Sequence, residues 1–183
     1  MARNRAIFLD RDGVINIDKS YVSKIEDFEF CDGIFEVLRR FQKLGFLLIV
    51  VTNQSGIGRG YYSSEDFSVL TQWKLDELQK RDIFIDEVYH CHHDPDLGCG
   101  CRKPAPGMLL SAKEKFDIDM QASWMIGDKK SDIEAALNAG VTNTILISSD
   151  CSDKKGAKYC VNSILDISTR PDIISHFNDK RKA

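Results

Sequence analysis

Residues 46–52, Phe46-Leu47-Leu48-Ile49-Val50-Val51-Thr52, form an unbroken apolar run closed by a threonine. A strand with one wet face alternates in polarity, so a run without alternation predicts a strand covered on both faces, as in a parallel sheet. A helical pattern leads straight into it: Ile34, Val37, Leu38, Phe41 and Leu44 share one face, and Gly45 stands where a C′ glycine ends a helix. Working outward, Ala6-Ile7-Phe8-Leu9, the stretch from Ile83 to Tyr89, Ser123-Trp124-Met125-Ile126 and Thr144-Ile145-Leu146-Ile147 predict further strands. Between them, Ser63 or Ser64 caps a helix carrying Phe67, Leu70, Leu75 and Leu78. Pro106-Gly107 opens another through Met108, Leu109, Ala112 and Phe116, and Asp132 to Ala139 makes a third that stops at Gly140. Asn53 to Gly60 reads as a glycine-rich loop, and Tyr159–Val161 and Pro171–Phe177 as a last strand and helix. Strands alternating with helices predict an α/β, doubly wound, mainly parallel sheet.

A chain of 183 residues is about one domain, so residues 1–183 are expected to share one core. With 25 Lys and Arg against 28 Asp and Glu, the net charge of −3 excludes broad phosphate neutralisation, and no nucleic-acid partner is expected. At 43% hydrophobic and 29% charged, the chain is globular, not disordered. The longest apolar run, Phe46 to Val51, is too short to cross a bilayer. Ala6-Ile7-Phe8-Leu9 runs into Asp10 instead of forming a secretory apolar segment, so a cytoplasmic protein without a membrane partner is expected. Six cysteines are too few for a disulfide scaffold, and Cys31, Cys151 and Cys160 are scattered and expected to be inert thiols.

Ligands of open parallel sheets bind outside the carboxyl ends of the strands, so the polar residues closing the apolar runs are the candidates. They are Asp10-Arg11-Asp12-Gly13-Val14, Thr52-Asn53-Gln54 and Gly127-Asp128-Lys129-Lys130-Ser131-Asp132, with Arg102-Lys103-Pro104 on a loop between. Singly, each is an ordinary turn residue, strand end or solvated charge. Jointly, the order Asp-x-Asp-Gly, Thr, Lys, Gly-Asp-x-x-x-Asp resembles the haloacid-dehalogenase (HAD) superfamily of phosphohydrolases over roughly residues 6–147. The resemblance implies Asp10 as a carboxylate nucleophile and Asp12 as general acid and base. It further implies Thr52 and Lys103 on the phosphoryl oxygens, and Mg²⁺ held by Asp10, the Asp12 carbonyl and Asp128. Asp132 is expected to orient this array or to cap its helix. Receiver domains use similar residues, but there the phosphoacceptor Asp ends a later strand, and dehalogenases lack the second Asp.

Cys91-x-His93 and Cys99-Gly100-Cys101 form a second cluster. In an extended segment Cys91 and His93 project to one side, while His90 and His92 project to the other. Pro95 and Gly98 let the chain double back. Three thiolates and an imidazole suit a closed, structural Zn²⁺ that stiffens the loop before Arg102 and Lys103; the alternatives are free thiols or a Cys91–Cys99 disulfide. With this loop and Thr52 to Gly60, the chain resembles the zinc-loop phosphatases of the superfamily. This implies a heptose 1,7-bisphosphate as the small-molecule substrate, with histidinol phosphate as the alternative. Only five residues separate His93 from Cys99, a short version of the loop. The intervals between Asp12, Thr52 and Lys103 leave no room for a separate cap domain. By resemblance, Asp18, Lys19, Ser20, Tyr21, Asn53, Gln54, Ser55, Arg102 and Lys129 surround the sugar, and Arg59 either joins them or is a solvated charge. A monomer is expected. A zinc-bearing binding module on an inactive phosphatase fold is the non-enzymatic alternative, against which the intact Asp10, Asp12, Thr52, Lys103 and Asp128 speak.

Overall fold

In the computed structural model, which describes residues 3–178, six strands form one sheet. They are β1 (Ala6–Leu9), β2 (Leu47–Asn53), β3 (Glu87–Cys91), β4 (Trp124–Gly127), β5 (Asn143–Ile147) and β6 (Tyr159–Val161). Their order is β3-β2-β1-β4-β5-β6, with every neighbouring pair parallel. The chain winds outward from β1 in one direction, then returns through β4 and winds outward in the other. The order therefore reverses between β1 and β4, and a crevice opens there at the carboxyl ends of the strands.

The helices are α1 (Ile34–Lys43), α2 (Ser55–Gly58), α3 (Ser64–Gln79), α4 (Gly107–Phe116), α5 (Lys130–Asn138), α6 (Asp166–Thr169) and α7 (Pro171–Asn178). They explain the unalternating run. Ile7, Leu9, Leu48 and Val50 pack into one core with Leu38 and Phe41 of α1 and Leu70 of α3. Ala6, Phe8, Ile49 and Val51 pack into another with Leu109 of α4 and Ala135 of α5. Both faces of β1 and β2 are dry, and each buried aliphatic side chain contributes about 1.5–3 kcal/mol.

Most of the expected elements form, with instructive departures. Asn53 to Gly60 is not all loop, because Ser55–Gly58 closes the single helical turn α2. The third strand starts at Glu87 and not at Ile83, which is buried in the connection before it. The helix expected from Asp132 starts at Lys130, since Asp132 is its third residue and reaches back to the Lys129 amide at 2.9 Å. Helix α3 is capped by Ser63 and Asp66 in a reciprocal box. Its buried face holds Lys74 where the apolar pattern pointed to Leu75. Cys151 and Cys160 are not inert thiols but a disulfide. The chain doubles back between β5 and β6 and brings their Cα atoms within 5.6 Å, which a separation of nine residues does not disclose.

Candidate active site

Asp10 follows β1 directly, and its amide donates to Ile126 O of β4 at 3.0 Å, which holds it at the crevice. Its carboxylate is buried and accepts from Lys103 Nζ at 2.8 Å. The same ammonium donates to Val51 O at 2.7 Å and lies 2.6 Å from Asp132 Oδ1. Three oxygen acceptors thus surround the ammonium. Burial opposes its charge, but Asp10 and Asp132 hold the Lys103 pKa above the usual lysine value. Asp132 thus holds Lys103 with one oxygen, and it is not the N-cap of α5: from the third helical position its other oxygen accepts from the amide of the N-cap, Lys129.

Asp128, after β4, faces Asp10 and Asp132, and one carboxylate oxygen from each lies within 4.8 Å of the others. Asp128 Oδ1 is buried with no hydrogen-bond partner among the described residues. Burial, and then the charge of Asp10, push the Asp128 carboxyl up to about 7. The orphaned Asp128 oxygen beside Asp10 fits a hard divalent cation, which would offset the repulsion of the converging carboxylates. Gly13 closes against this group at φ +85°, and a β-carbon there would collide with Asp128.

The Asp12 carboxylate is not one of the three. It accepts from Arg11 through Nε at 3.0 Å and Nη2 at 2.9 Å, from Asn16 at 3.0 Å and from Gln54 at 3.1 Å. Its expected share in the cation site is its main-chain carbonyl. Thr52, buried at the end of β2, accepts from Gln54 Nε2 at 2.8 Å.

Asp12, Gln54 and Lys103 of this group line a cavity of about 510 Å³. Of the nine residues expected around a sugar, Asp18, Ser20, Tyr21, Asn53, Gln54, Ser55, Arg102 and Lys129 line it. Lys19 does not, because it turns away to pair with Glu29 at 3.0 Å. Asn53 has another task as well: its amide clasps the Lys103 backbone through N–H and C=O at 3.1 and 3.0 Å. Lys129 is held between Asp18 at 3.1 Å and Asp128 at 3.6 Å, so its charge is already partnered. Arg102 differs, with its buried Nη1 lacking a hydrogen-bond partner among the described residues. Arg59 stays outside the lining and donates to the Tyr21 hydroxyl at 2.9 Å. Tyr62 and Ser131 line the cavity without having been anticipated. Only the folded loop brings Tyr62 in, since nothing in its immediate sequence marks it.

The Cys/His loop bears out the alternation argument in part. Cys91 Sγ lies 3.6 Å from His93 Nδ1 and 3.5 Å from Cys99 Sγ. Cys101 Sγ lies 3.3 Å from Cys91 Sγ, 3.4 Å from Cys99 Sγ and 3.2 Å from His93 Nδ1. These four donors converge and could hold a metal ion. His90 stays apart, stacked on Phe67 with ring centroids 4.3 Å apart.

A family model described as "HAD-hyrolase-like" matches residues 100–174. A D-glycero-alpha-D-manno-heptose-1,7-bisphosphate 7-phosphatase from Campylobacter jejuni is 57% identical over 148 residues, covering 81% of this chain and 85% of its own length. The chain belongs to the D-glycero-D-manno-heptose-1,7-bisphosphate 7-phosphatase family. A beta-anomer enzyme of this name from Escherichia coli K12 is 44% identical over 173 residues, covering 88% of this chain and 91% of its own length. The D,D-heptose 1,7-bisphosphate phosphatase from B. bronchiseptica, solved with magnesium and phosphate, superposes with a TM-score of 0.81 at 26% identity. It covers 90% of this chain and 96% of that one.

Proposed function

We propose that this protein removes the C7 phosphate of D-glycero-D-manno-heptose 1,7-bisphosphate through an aspartyl-phosphate on Asp10. The observation that carries this is the buried Lys103, held by Asp10 and Asp132, which lines a cavity together with Asp12 and Arg102. One anionic group has its place at Asp10, and a second has its place at Arg102.

Asp10 attacks phosphorus, and the sugar C7 oxygen leaves with the proton of Asp12. Water then attacks the phosphoryl group on Asp10, gives its proton to Asp12 and frees inorganic phosphate. Thr52 and Lys103 stabilise the equatorial oxygens in both steps. Asp10, the Asp12 carbonyl and Asp128 are the residues that would hold Mg²⁺, which supplies charge neutralisation at the phosphoryl oxygens. Arg102 takes the C1 phosphate and keeps it away from Asp10, while the partnered Lys129 shapes the wall with Asp18. Asp18, Ser20, Tyr21, Gln54 and Ser55 contact the sugar.

For the Cys/His cluster we infer Zn²⁺. A tetrahedron with Zn–S bonds of about 2.3 Å and a Zn–N bond of about 2.0 Å has edges of roughly 3.5–3.8 Å. Donor separations of 3.2–3.6 Å approach that figure, which supports the assignment. The role is structural, because four protein ligands leave no open position. The chain is read as one uncapped phosphatase unit, monomeric and cytoplasmic. Among the described residues, no helix is long and apolar enough to cross a membrane.

Phosphate release measured side by side on heptose 1,7-bisphosphate and histidinol phosphate tests the substrate. The bisphosphate should be preferred strongly, since the cationic amine of histidinol phosphate would face Arg102. Equal efficiency on the two would overturn the heptose assignment.

A further inference from the structure

Tyr62 lines the cavity together with Asp12 and Lys103. Its hydroxyl donates to Gln54 Oε1 at 2.6 Å. Gln54 is itself buried, and its Nε2 donates both to Thr52 Oγ1 at 2.8 Å and to Asp12 Oδ2 at 3.1 Å. The Tyr62 ring is seated against the turn of α2, where a β-carbon on Gly56 would collide with it. Burial pushes the Tyr62 phenol up to about 12, so it keeps its proton.

We propose that Tyr62 is a positioning residue that locks the Gln54 amide in one orientation, so that Thr52 directs its hydroxyl hydrogen at the phosphoryl group and Asp12 keeps its proton for the leaving oxygen. This rests on the roles given to Thr52 and Asp12 under the proposed function. A carboxamide has nearly the same shape when flipped, and only its partners choose between the two orientations. A flipped amide would offer Oε1 to the Asp12 carboxyl and to the Thr52 hydroxyl, withdrawing both from the substrate. The Tyr62 hydroxyl, donating to Oε1, opposes that flip. Its spacing is that of an O–H···O bond, tighter than the N–H···O contact a flipped amide would make.

The test is Tyr62→Phe, which keeps the ring on its seat and removes only the hydroxyl. On heptose 1,7-bisphosphate, kcat/KM should fall about tenfold. On p-nitrophenyl phosphate, whose leaving group needs no proton, only the Thr52 contribution is lost and the fall should be about threefold or less. In a Gln54→Met background, Tyr62→Phe should have no further effect, because the side chain it acts through is gone. Equal losses on both substrates, no loss on either, or additive losses in the double variant would overturn the positioning role alone. A wild-type protein inactive on both substrates would instead overturn the reading on which it rests.

Discussion

Burial opposes the charge of both Asp128 and Lys74, and each makes a pH-dependent prediction. With its carboxyl pushed up to about 7, Asp128 is substantially protonated at neutral pH when no cation is bound. A cation must displace that proton, so apparent Mg²⁺ affinity should weaken as pH falls from 8 to 6, by up to about tenfold per pH unit below 7. Titrating activity with Mg²⁺ at several pH values checks this, and a pH-invariant midpoint would contradict it. Lys74 is fully buried on α3 with no partner for its Nζ among the described residues, and burial pulls its pKa down to about 7. The unfolded chain holds a proton there up to about pH 10.5, so between these values the unfolded state binds more protons and stability rises with pH. Lys74→Met should therefore raise Tm at pH 7 by about 3 °C or more, with an advantage that shrinks toward pH 9.5. A gain independent of pH would show that burial is not what depresses this lysine. Neither residue was legible in this respect from the sequence. Asp128 read as a cation ligand, but its protonation depends on neighbours that only the fold assembles. Lys74 is charged, so no apolar pattern would place it inside.

At the scale of the element, the Cys/His loop, which could hold a metal ion, leads straight into the lysine proposed for catalysis. Cys101 is two residues before Lys103, whose backbone is clasped by Asn53. Cys99→Ser should lose the bound metal, lower thermal stability and reduce kcat/KM, because the Arg102–Lys103 segment loses its anchor. His90→Ala should leave metal content unchanged, since that ring stacks on Phe67 away from the cluster. Metal analysis of the purified variants decides between these outcomes, and full metal content in Cys99→Ser would remove Cys99 from the ligand set. The strands were legible because both faces of β1 and β2 are dry, which leaves an unbroken apolar run with no polar alternation. Helix α2 was not, because Ser55-Gly56-Ile57-Gly58 carries no helical periodicity and closes a single turn. The glycine at position 56 makes sense only once Tyr62 is seen to need the space.

Across the whole molecule, the reversal of strand order between β1 and β4 sets Asp10 and Asp128 side by side from residues more than a hundred positions apart. Lys103, on the loop that follows the Cys/His cluster, completes the group. The order of the motifs along the chain could be read in advance because a parallel sheet places every strand's carboxyl end on one edge. Which cations are free could not. Lys129 looked as available as Arg102 in the sequence, yet Asp18 and Asp128 engage it. On this ground we propose Arg102, which lines the cavity, for the second anionic group of the substrate. Arg102→Ala should then lower kcat/KM by roughly one to two decades on the bisphosphate and less on a simple monophosphate. Steady-state kinetics on the two substrates would show it, and an equal loss on both would remove that role.

The most direct test of the account follows heptose 1,7-bisphosphate with Mg²⁺ by phosphorus NMR, with wild-type protein and with Asp10→Asn. Wild-type protein should free the C7 phosphate, retain the C1 phosphate and turn over many times. Asp10→Asn should release none, because an amide cannot form the aspartyl-phosphate. Sustained hydrolysis by Asp10→Asn, or release of the C1 phosphate by the wild type, would contradict it.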